Sequence, residues 1–132
     1  MDDQARTRGR PLTADAEAPL IPDGLDATLV FVRHGESTLI AEGRFQGRAD
    51  TPLTDIGRRQ AALVAARLAA PRAAPFLPVP AGPPLEIVQS PLARTAETAV
   101  AVERAMQETG WTVPRRPDDG FPEIDQGDWQ GV

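Results

Sequence analysis

The sequence has no cysteine and only one histidine among its 132 residues. The chain can therefore form no disulfide, no thiolate zinc site and no catalytic thiol. It also lacks any stretch approaching the roughly 20 apolar residues that a membrane-spanning helix requires. Because its N-terminal region has no apolar run long enough for a secretory signal, we expect a cytoplasmic protein that does not enter a membrane.

Positive charge is scarce as well. The formal net charge is −5, and all 14 basic residues are arginines. Proteins that bind nucleic acids or anionic membranes need a positive field to attract phosphates, so neither partner is expected. The length suits one small domain, since about 150 residues per domain is usual. An apolar content of 41% is enough for a hydrophobic core.

Two segments of biased composition set the predicted domain boundaries. Residues 1–26 mix acidic residues and arginines with prolines, which predicts a disordered leader. Residues 71–84 contain six of the 14 prolines. Proline lacks a backbone N–H and biases the preceding residue away from helix, so this segment is interpreted as a linker. The domain itself is expected to occupy residues 27–132.

The hydrophobic pattern of this domain alternates between strands and helices. The predicted elements are strands at 28–33, 85–89 and 111–115, and helices at 54–70 and 90–110. Thr54 and Asp55 open the first helix, while Ser90 is the expected N-cap of the second, with Pro91 in its first position. The apolar face of the first helix is expected to contain Ile56, Leu63, Val64 and Leu68. This order predicts a parallel sheet with helices on both faces.

The most informative motif is Leu-Val-Phe-Val-Arg-His-Gly-Glu at residues 29–36, which places His34 at a strand end. Arg94 follows the next strand, within the motif Ser-Pro-Leu-Ala-Arg-Thr-Ala-Glu-Thr at 90–98. Open α/β sheets bind ligands beyond the carboxyl ends of their strands, so we expect His34 and Arg94 to meet. A neutral imidazole can accept a phosphoryl group. The two guanidinium groups, of Arg33 and Arg94, disfavour the imidazolium form and bind phosphoryl oxygens in pairs.

Together these motifs resemble the histidine phosphatase superfamily, the phosphoglycerate mutase-like enzymes, from about Thr28 to Gly131. The resemblance implies a three-layer α/β/α fold and hydrolysis of a phosphorylated small molecule through a phosphohistidine at His34. No cofactor and no metal are implied, because arginines perform the charge stabilisation that magnesium provides in other phosphoryl-transfer enzymes. Gly35 is expected to let the backbone approach the phosphate without a Cβ in the way.

Three further segments extend the resemblance. Residues 42–47 and 50–61 are similar to the family's first active-site loop and the helix behind it, which implies substrate contacts from Ser37, Arg44, Gln46 and Gly47. Residues 121–131 are similar to the segment whose glutamate donates a proton, which implies that Glu123 is the general acid. Asp125 and Asp128 lie close enough in sequence to compete for this role.

Two departures from the family pattern limit these expectations. Ile40 stands where many relatives have asparagine, and no histidine follows His34 to complete an Arg-His-Arg-His pocket. In the family fold the strand carrying that second histidine lies between the strands that carry His34 and Arg94. We therefore expect a fold that is incomplete at its C-terminus, with unpaired backbone in the sheet. The chain is interpreted as the N-terminal part of a histidine phosphatase, either a fragment or a truncated product.

Several functions remain open at this point. The preferred interpretation is a phosphomonoester phosphatase, with a phosphoglycerate mutase-type phosphotransferase as an alternative. A non-catalytic phosphate-binding pseudoenzyme is the third, because Arg33 and Arg94 could hold a phosphate without turnover. An unrelated βαβ domain with accidental motifs is the fourth.

Overall fold

The computed structural model describes residues 23–121 and 123–132. They form helix α1 (Thr38–Ala41), helix α2 (Asp55–Ala69), strand β1 (Ile87–Gln89), helix α3 (Ala93–Glu108), strand β2 (Arg115–Pro117) and a 3₁₀ turn at Gly127–Trp129. Most of the predicted leader, residues 1–26, lies outside the described residues. Within the described ranges, no helix combines the length and the apolar character needed to cross a membrane.

Helix α2 begins and ends close to where the sequence predicts. The Thr54 side chain accepts a hydrogen bond from the Gly57 N–H at 3.0 Å, which caps the first turn. The expected buried face is wrong, however, because Ile56 and Leu63 are 49% and 70% exposed. The buried residues of α2 are Gly57, Ala61, Ala65 and Ala69, since α3 packs against this small-residue side.

Helix α3 starts later than expected. Its N-cap is Leu92, so the prediction of Ser90 as N-cap is wrong. The Ser90 hydroxyl instead lies 2.9 Å from the Thr95 hydroxyl and accepts a hydrogen bond from the Leu92 N–H at 3.3 Å. The C-terminal end agrees with the sequence, because Gly110 follows the last turn with φ of +88°, a conformation that favours glycine.

The two strands form a parallel pair, as predicted, with Ile87 opposite Arg115 and Gln89 opposite Pro117. The second strand lies later than the predicted range of 111–115. Val113 is buried in the core, and Pro114 has no N–H for a sheet ladder. The Pro114 carbonyl nevertheless accepts a hydrogen bond from the Ile87 N–H at 2.8 Å, immediately before the paired residues.

The hydrophobic core lies around α3, which contacts α2 and both strands. Its buried members are Ala65, Ala69, Val102, Met106 and Val113. Residues 71–84, the predicted linker, contain turns and bends but no helix or strand. Two polar side chains, those of Arg94 and Ser37, are also fully buried. The buried part of the molecule therefore includes polar groups as well as the apolar core.

The sequence predicts a strand at residues 28–33 and also predicts that its pairing partner is missing; the structure contradicts the first expectation and agrees with the second. No strand is assigned there, and Leu29 and Phe31 are 67% and 87% exposed. The reason is that no segment among the described residues supplies a hydrogen-bonding ladder to this stretch. The apolar character that suggested a buried strand is real, but its packing partner is not among these residues.

Gly35 and Gly57 bring two backbone segments into direct contact. A Cβ on Gly57 would overlap the Glu36 carbonyl oxygen, and a Cβ on Gly35 would overlap the Gly57 carbonyl oxygen. Gly35 also donates its N–H to the Thr98 hydroxyl of α3 at 3.2 Å. The missing side chain of Gly35 makes room for α2, and its expected approach to a phosphate stays a prediction.

Replacing Gly57 by alanine tests this contact. Alanine in a helix is favoured over glycine by about 1 kcal/mol, but overpacking typically costs about 1–3 kcal/mol. We expect Gly57→Ala to lower the free energy of unfolding, measured by urea titration. Gly82→Ala is the matched control, because a Cβ there meets no atom within 4 Å. Equal stability of the two variants would contradict a tight backbone contact.

Candidate active site

A cavity of about 350 Å³ is lined in part by the end of the segment at 28–34. Six of the predicted site residues line it: Arg33, His34, Arg44, Gln46, Gly47 and Glu123. Ile40 and Phe45 add an apolar wall. The structure therefore brings together residues from three separate segments of the sequence.

His34 is half-buried, and its Nδ1 lies 2.7 Å from the Gly35 carbonyl oxygen. A carbonyl oxygen can only accept a hydrogen bond, so this contact requires the proton on Nδ1. In the neutral ring the other nitrogen, Nε2, then carries the free lone pair. The local backbone thus selects the tautomer in which Nε2 can act as a nucleophile.

The Gln46 side chain is held in place by two hydroxyl groups. Its Oε1 accepts hydrogen bonds from the Ser37 hydroxyl and, at 2.9 Å, from the Thr51 hydroxyl. Ser37 is fully buried and does not line the cavity. In this arrangement Ser37 orients Gln46, and its predicted contact with a phosphate oxygen stays a prediction.

Arg44 lies at the rim of the cavity. Its Nη1 donates to the Glu42 carboxylate at 3.2 Å, and both side chains are about half exposed. The Glu42 charge therefore offsets part of the positive charge that Arg44 brings to the cavity. Arg33, in contrast, lies directly before His34 in the cavity wall.

Arg94 is fully buried and holds the neighbouring loop. Its Nη1 and Nη2 donate to the carbonyl oxygens of Ala49 and Gly47, each at 2.7 Å. Its Nε has no hydrogen-bond partner among the described residues. Burial lowers the pKa of the Arg94 guanidinium, and the Glu123 and Asp50 carboxylates oppose that shift.

Arg94 lines an adjoining cavity of about 240 Å³ and does not line the cavity of His34. Glu123 lines both cavities, and its Oε2 lies 3.8 Å from Arg94 Nη2. The structure thus places Glu123 between the arginine and the histidine. Asp125 and Asp128, the competing acids, line neither cavity, so Glu123 is the one of the three acids that lines them.

The loop at 44–48 is joined to the segment at 123–132 by contacts that the sequence did not reveal. The Gly131 N–H donates to the Phe45 carbonyl oxygen at 2.7 Å, and the Phe45 N–H donates to the Val132 carbonyl oxygen at 3.0 Å. Arg48 and Gln130, which sequence reasoning did not single out, form another link at 2.5 Å. Gln130 lies inside the motif at 121–131, whereas Arg48 lies between the motifs at 42–47 and 50–61, and the residue types alone do not predict this contact.

Comparison with known proteins gives a consistent result. A sequence profile of the histidine phosphatase superfamily (branch 1) matches residues 29–132. The chain is 40% identical over 105 residues to glucosyl-3-phosphoglycerate phosphatase of Mycolicibacterium vanbaalenii, covering 79% of this chain and 39% of that protein. It is also 40% identical over 85 residues to a probable phosphoglycerate mutase of Yersinia pestis, covering 64% of this chain and 34% of that protein.

Solved structures extend the likeness to the fold. A mycobacterial glucosyl-3-phosphoglycerate phosphatase in complex with VO3 superposes with a TM-score of 0.60 and 33% sequence identity, covering 76% of this chain and 40% of that one. The chain thus spans about two fifths of the length of the curated phosphatase relative. Its helices and small parallel sheet correspond to part of the α/β phosphoglycerate mutase-like fold. The chain belongs to the histidine phosphatase superfamily.

Proposed function

We propose that this chain carries the nucleophile of a phosphomonoester phosphatase that acts through a phosphohistidine at His34. The observation that supports this most directly is the hydrogen bond from Nδ1 of His34 to the Gly35 carbonyl oxygen at 2.7 Å. It leaves Nε2 free to attack in a cavity that also contains Arg33 and Glu123. Nucleophile, cation and acid are the three groups that this reaction needs.

In the first step the Nε2 lone pair of His34 forms a bond to phosphorus, and the bond from phosphorus to the ester oxygen breaks. Glu123, as the carboxylic acid, gives its proton to the departing oxygen. Arg33 stabilises the negative charge on the phosphoryl oxygens, as does Arg94 where a ligand extends into the adjoining cavity. In the second step water attacks phosphorus, Glu123 takes its proton, and the P–N bond breaks to release inorganic phosphate.

Phosphatase chemistry is preferred to mutase chemistry because the longer match is to a protein named as a phosphatase. Glucosyl-3-phosphoglycerate appears in the name of that relative, so small phosphorylated hydroxy acids are the first substrate class to test. The apolar wall of Ile40 and Phe45 would contact the organic part of the substrate, which departs as the alcohol.

A non-catalytic phosphate binder is the second candidate. It is favoured by one observation, that both Nη atoms of Arg94 are committed to the carbonyl oxygens of Gly47 and Ala49 while Arg94 lies outside the His34 cavity. The unpaired Nε of Arg94 could still bind an anion in the adjoining cavity. In this case phosphate would bind without forming a bond to His34.

Acid-labile phosphate trapping separates the two candidates. We expect the full gene product to form an acid-labile phosphoenzyme from a phosphomonoester, and His34→Ala to abolish it and lower kcat by roughly 10⁴–10⁶-fold. Arg104→Ala, an exposed substitution on α3, is the control that should leave both unchanged. The 132-residue chain is assayed in parallel. A folded full product that binds phosphate without any acid-labile adduct would contradict the phosphatase and support the binder.

Arg94→Lys tests the buried guanidinium. A lysine ammonium cannot match the planar fork that holds two carbonyl oxygens, and leaving a buried group unpaired costs about 1–3 kcal/mol. We expect a lower free energy of unfolding and weaker binding of inorganic phosphate, measured by urea titration and calorimetry. Arg104→Lys is the matched control on the same helix. If the two variants behave alike, the guanidinium fork neither holds the loop nor binds phosphate.

A further inference from the structure

The backbone stretch at 47–49 contacts both the buried arginine and the residue proposed as the acid. The carbonyl oxygens of Gly47 and Ala49 both accept hydrogen bonds from Arg94, so this stretch of backbone is fixed on one side. The residue between them, Arg48, extends its side chain to the other segment. Its Nε donates to the carbonyl oxygen of Glu123 at 2.9 Å.

Arg48 is itself held at two further points. Its backbone N–H donates to Gln130 Oε1 at 2.5 Å, and its Nη1 lies 3.8 Å from the Asp125 carboxylate. Both partners belong to the segment that carries Glu123. One arginine therefore joins this segment to the loop through its main chain, its Nε and its Nη1.

The end of the segment is joined to Phe45 by two backbone hydrogen bonds, but Glu123 itself has few other contacts among the described residues. Its side chain is 43% exposed, and the apolar residues on either side, Phe121 and Ile124, are 57% and 75% exposed. Apolar burial therefore contributes little to holding this part of the segment. The Glu123 carboxylate accepts a hydrogen bond from the Ile124 N–H at 2.9 Å, so its orientation follows the backbone that Arg48 holds.

We propose that Arg48 is a positioning residue, which holds the Glu123 carboxyl between Arg94 and His34 so that it can protonate the leaving group. This inference rests on the proposed phosphatase function. Arg48 acts through the backbone of Glu123 and lines neither cavity. A displacement of about 1 Å in a reacting group can lower a rate about 100-fold, so a single anchoring hydrogen bond is enough to matter.

Comparing two leaving groups distinguishes a positioning role of Arg48 from a general structural role. An alkyl phosphate releases a strongly basic alkoxide that needs a proton, whereas p-nitrophenyl phosphate releases a weakly basic phenolate that does not. Loss of a positioned acid therefore slows the alkyl ester selectively. Partial unfolding or damage at His34 would slow both esters alike.

The experiment measures kcat and KM of the full gene product with β-glycerol phosphate and p-nitrophenyl phosphate. We expect Arg48→Ala to lower kcat/KM, which reports the steps up to release of the alcohol, by about 10- to 100-fold for the alkyl ester and by less than about threefold for the aryl ester. Hydrolysis of the phosphoenzyme is common to both esters and does not enter kcat/KM. Arg48→Lys, which keeps a cation near Asp125, should recover part of the alkyl activity. Arg104→Ala, on the exposed face of α3, is the control and should resemble the unmodified protein with both esters.

A double variant identifies the group through which Arg48 acts. If Arg48 works only by placing Glu123, then Arg48→Ala should add little further loss to Glu123→Gln. An equal loss of kcat/KM on the two esters, or losses of kcat/KM that add fully in the double variant, would overturn the assignment.

The same measurements distinguish failure of the proposed phosphatase function from failure of the role of Arg48. An unmodified full product that forms no phosphoenzyme from either ester overturns the phosphatase and the role of Arg48 together. An active product in which Arg48→Ala matches Arg104→Ala overturns the role of Arg48 alone.

Discussion

The contact between Gly35 and Gly57 is the constraint on which the rest of the arrangement depends. Because neither residue has a Cβ, the backbone just after His34 lies directly on the first turn of α2. The same backbone donates to Thr98 of α3 through the Gly35 N–H. The backbone next to His34 therefore contacts both long helices. The imidazole of His34 is oriented by its hydrogen bond to the Gly35 carbonyl oxygen. Any substitution that separates these backbones would move His34.

A second feature of the structure is that polar side chains are buried next to the candidate site. The core around α3 is built largely from small residues, while Arg94 and Ser37 are the largest fully buried side chains. A buried guanidinium is costly unless its donors are satisfied, and two loop carbonyls satisfy the Nη atoms while Glu123 lies farther away. The loop that carries Gln46 and Gly47 is shaped by this requirement. The hydrogen bonds from Arg94 therefore both stabilise the loop and place the loop residues that line the cavity.

Much of this arrangement follows from the sequence, and the misses have physical causes. The N-cap Thr54 predicts the start of α2, and the motifs around His34 and Glu123 predict residues that meet in one cavity. The buried face of α2 was missed because the packing of two helices through alanines cannot be read from the largest apolar residues. Pairing of residues 28–33 depends on a partner strand, which hydrophobicity alone does not supply. Arg48 was missed because a backbone carbonyl partner leaves no signal in residue type.

The role of His34 is tested by ¹⁵N NMR of the folded protein labelled at histidine, before and after phosphorylation. Because His34 is the only histidine in the sequence, every imidazole signal of the 132-residue chain belongs to it. We expect the neutral form of the ring to carry its proton on Nδ1, and the phosphoenzyme to have its phosphorus bonded to Nε2. A ring protonated at Nε2, or a phosphoryl group on Nδ1, would contradict the claim that the Gly35 carbonyl prepares the nucleophile.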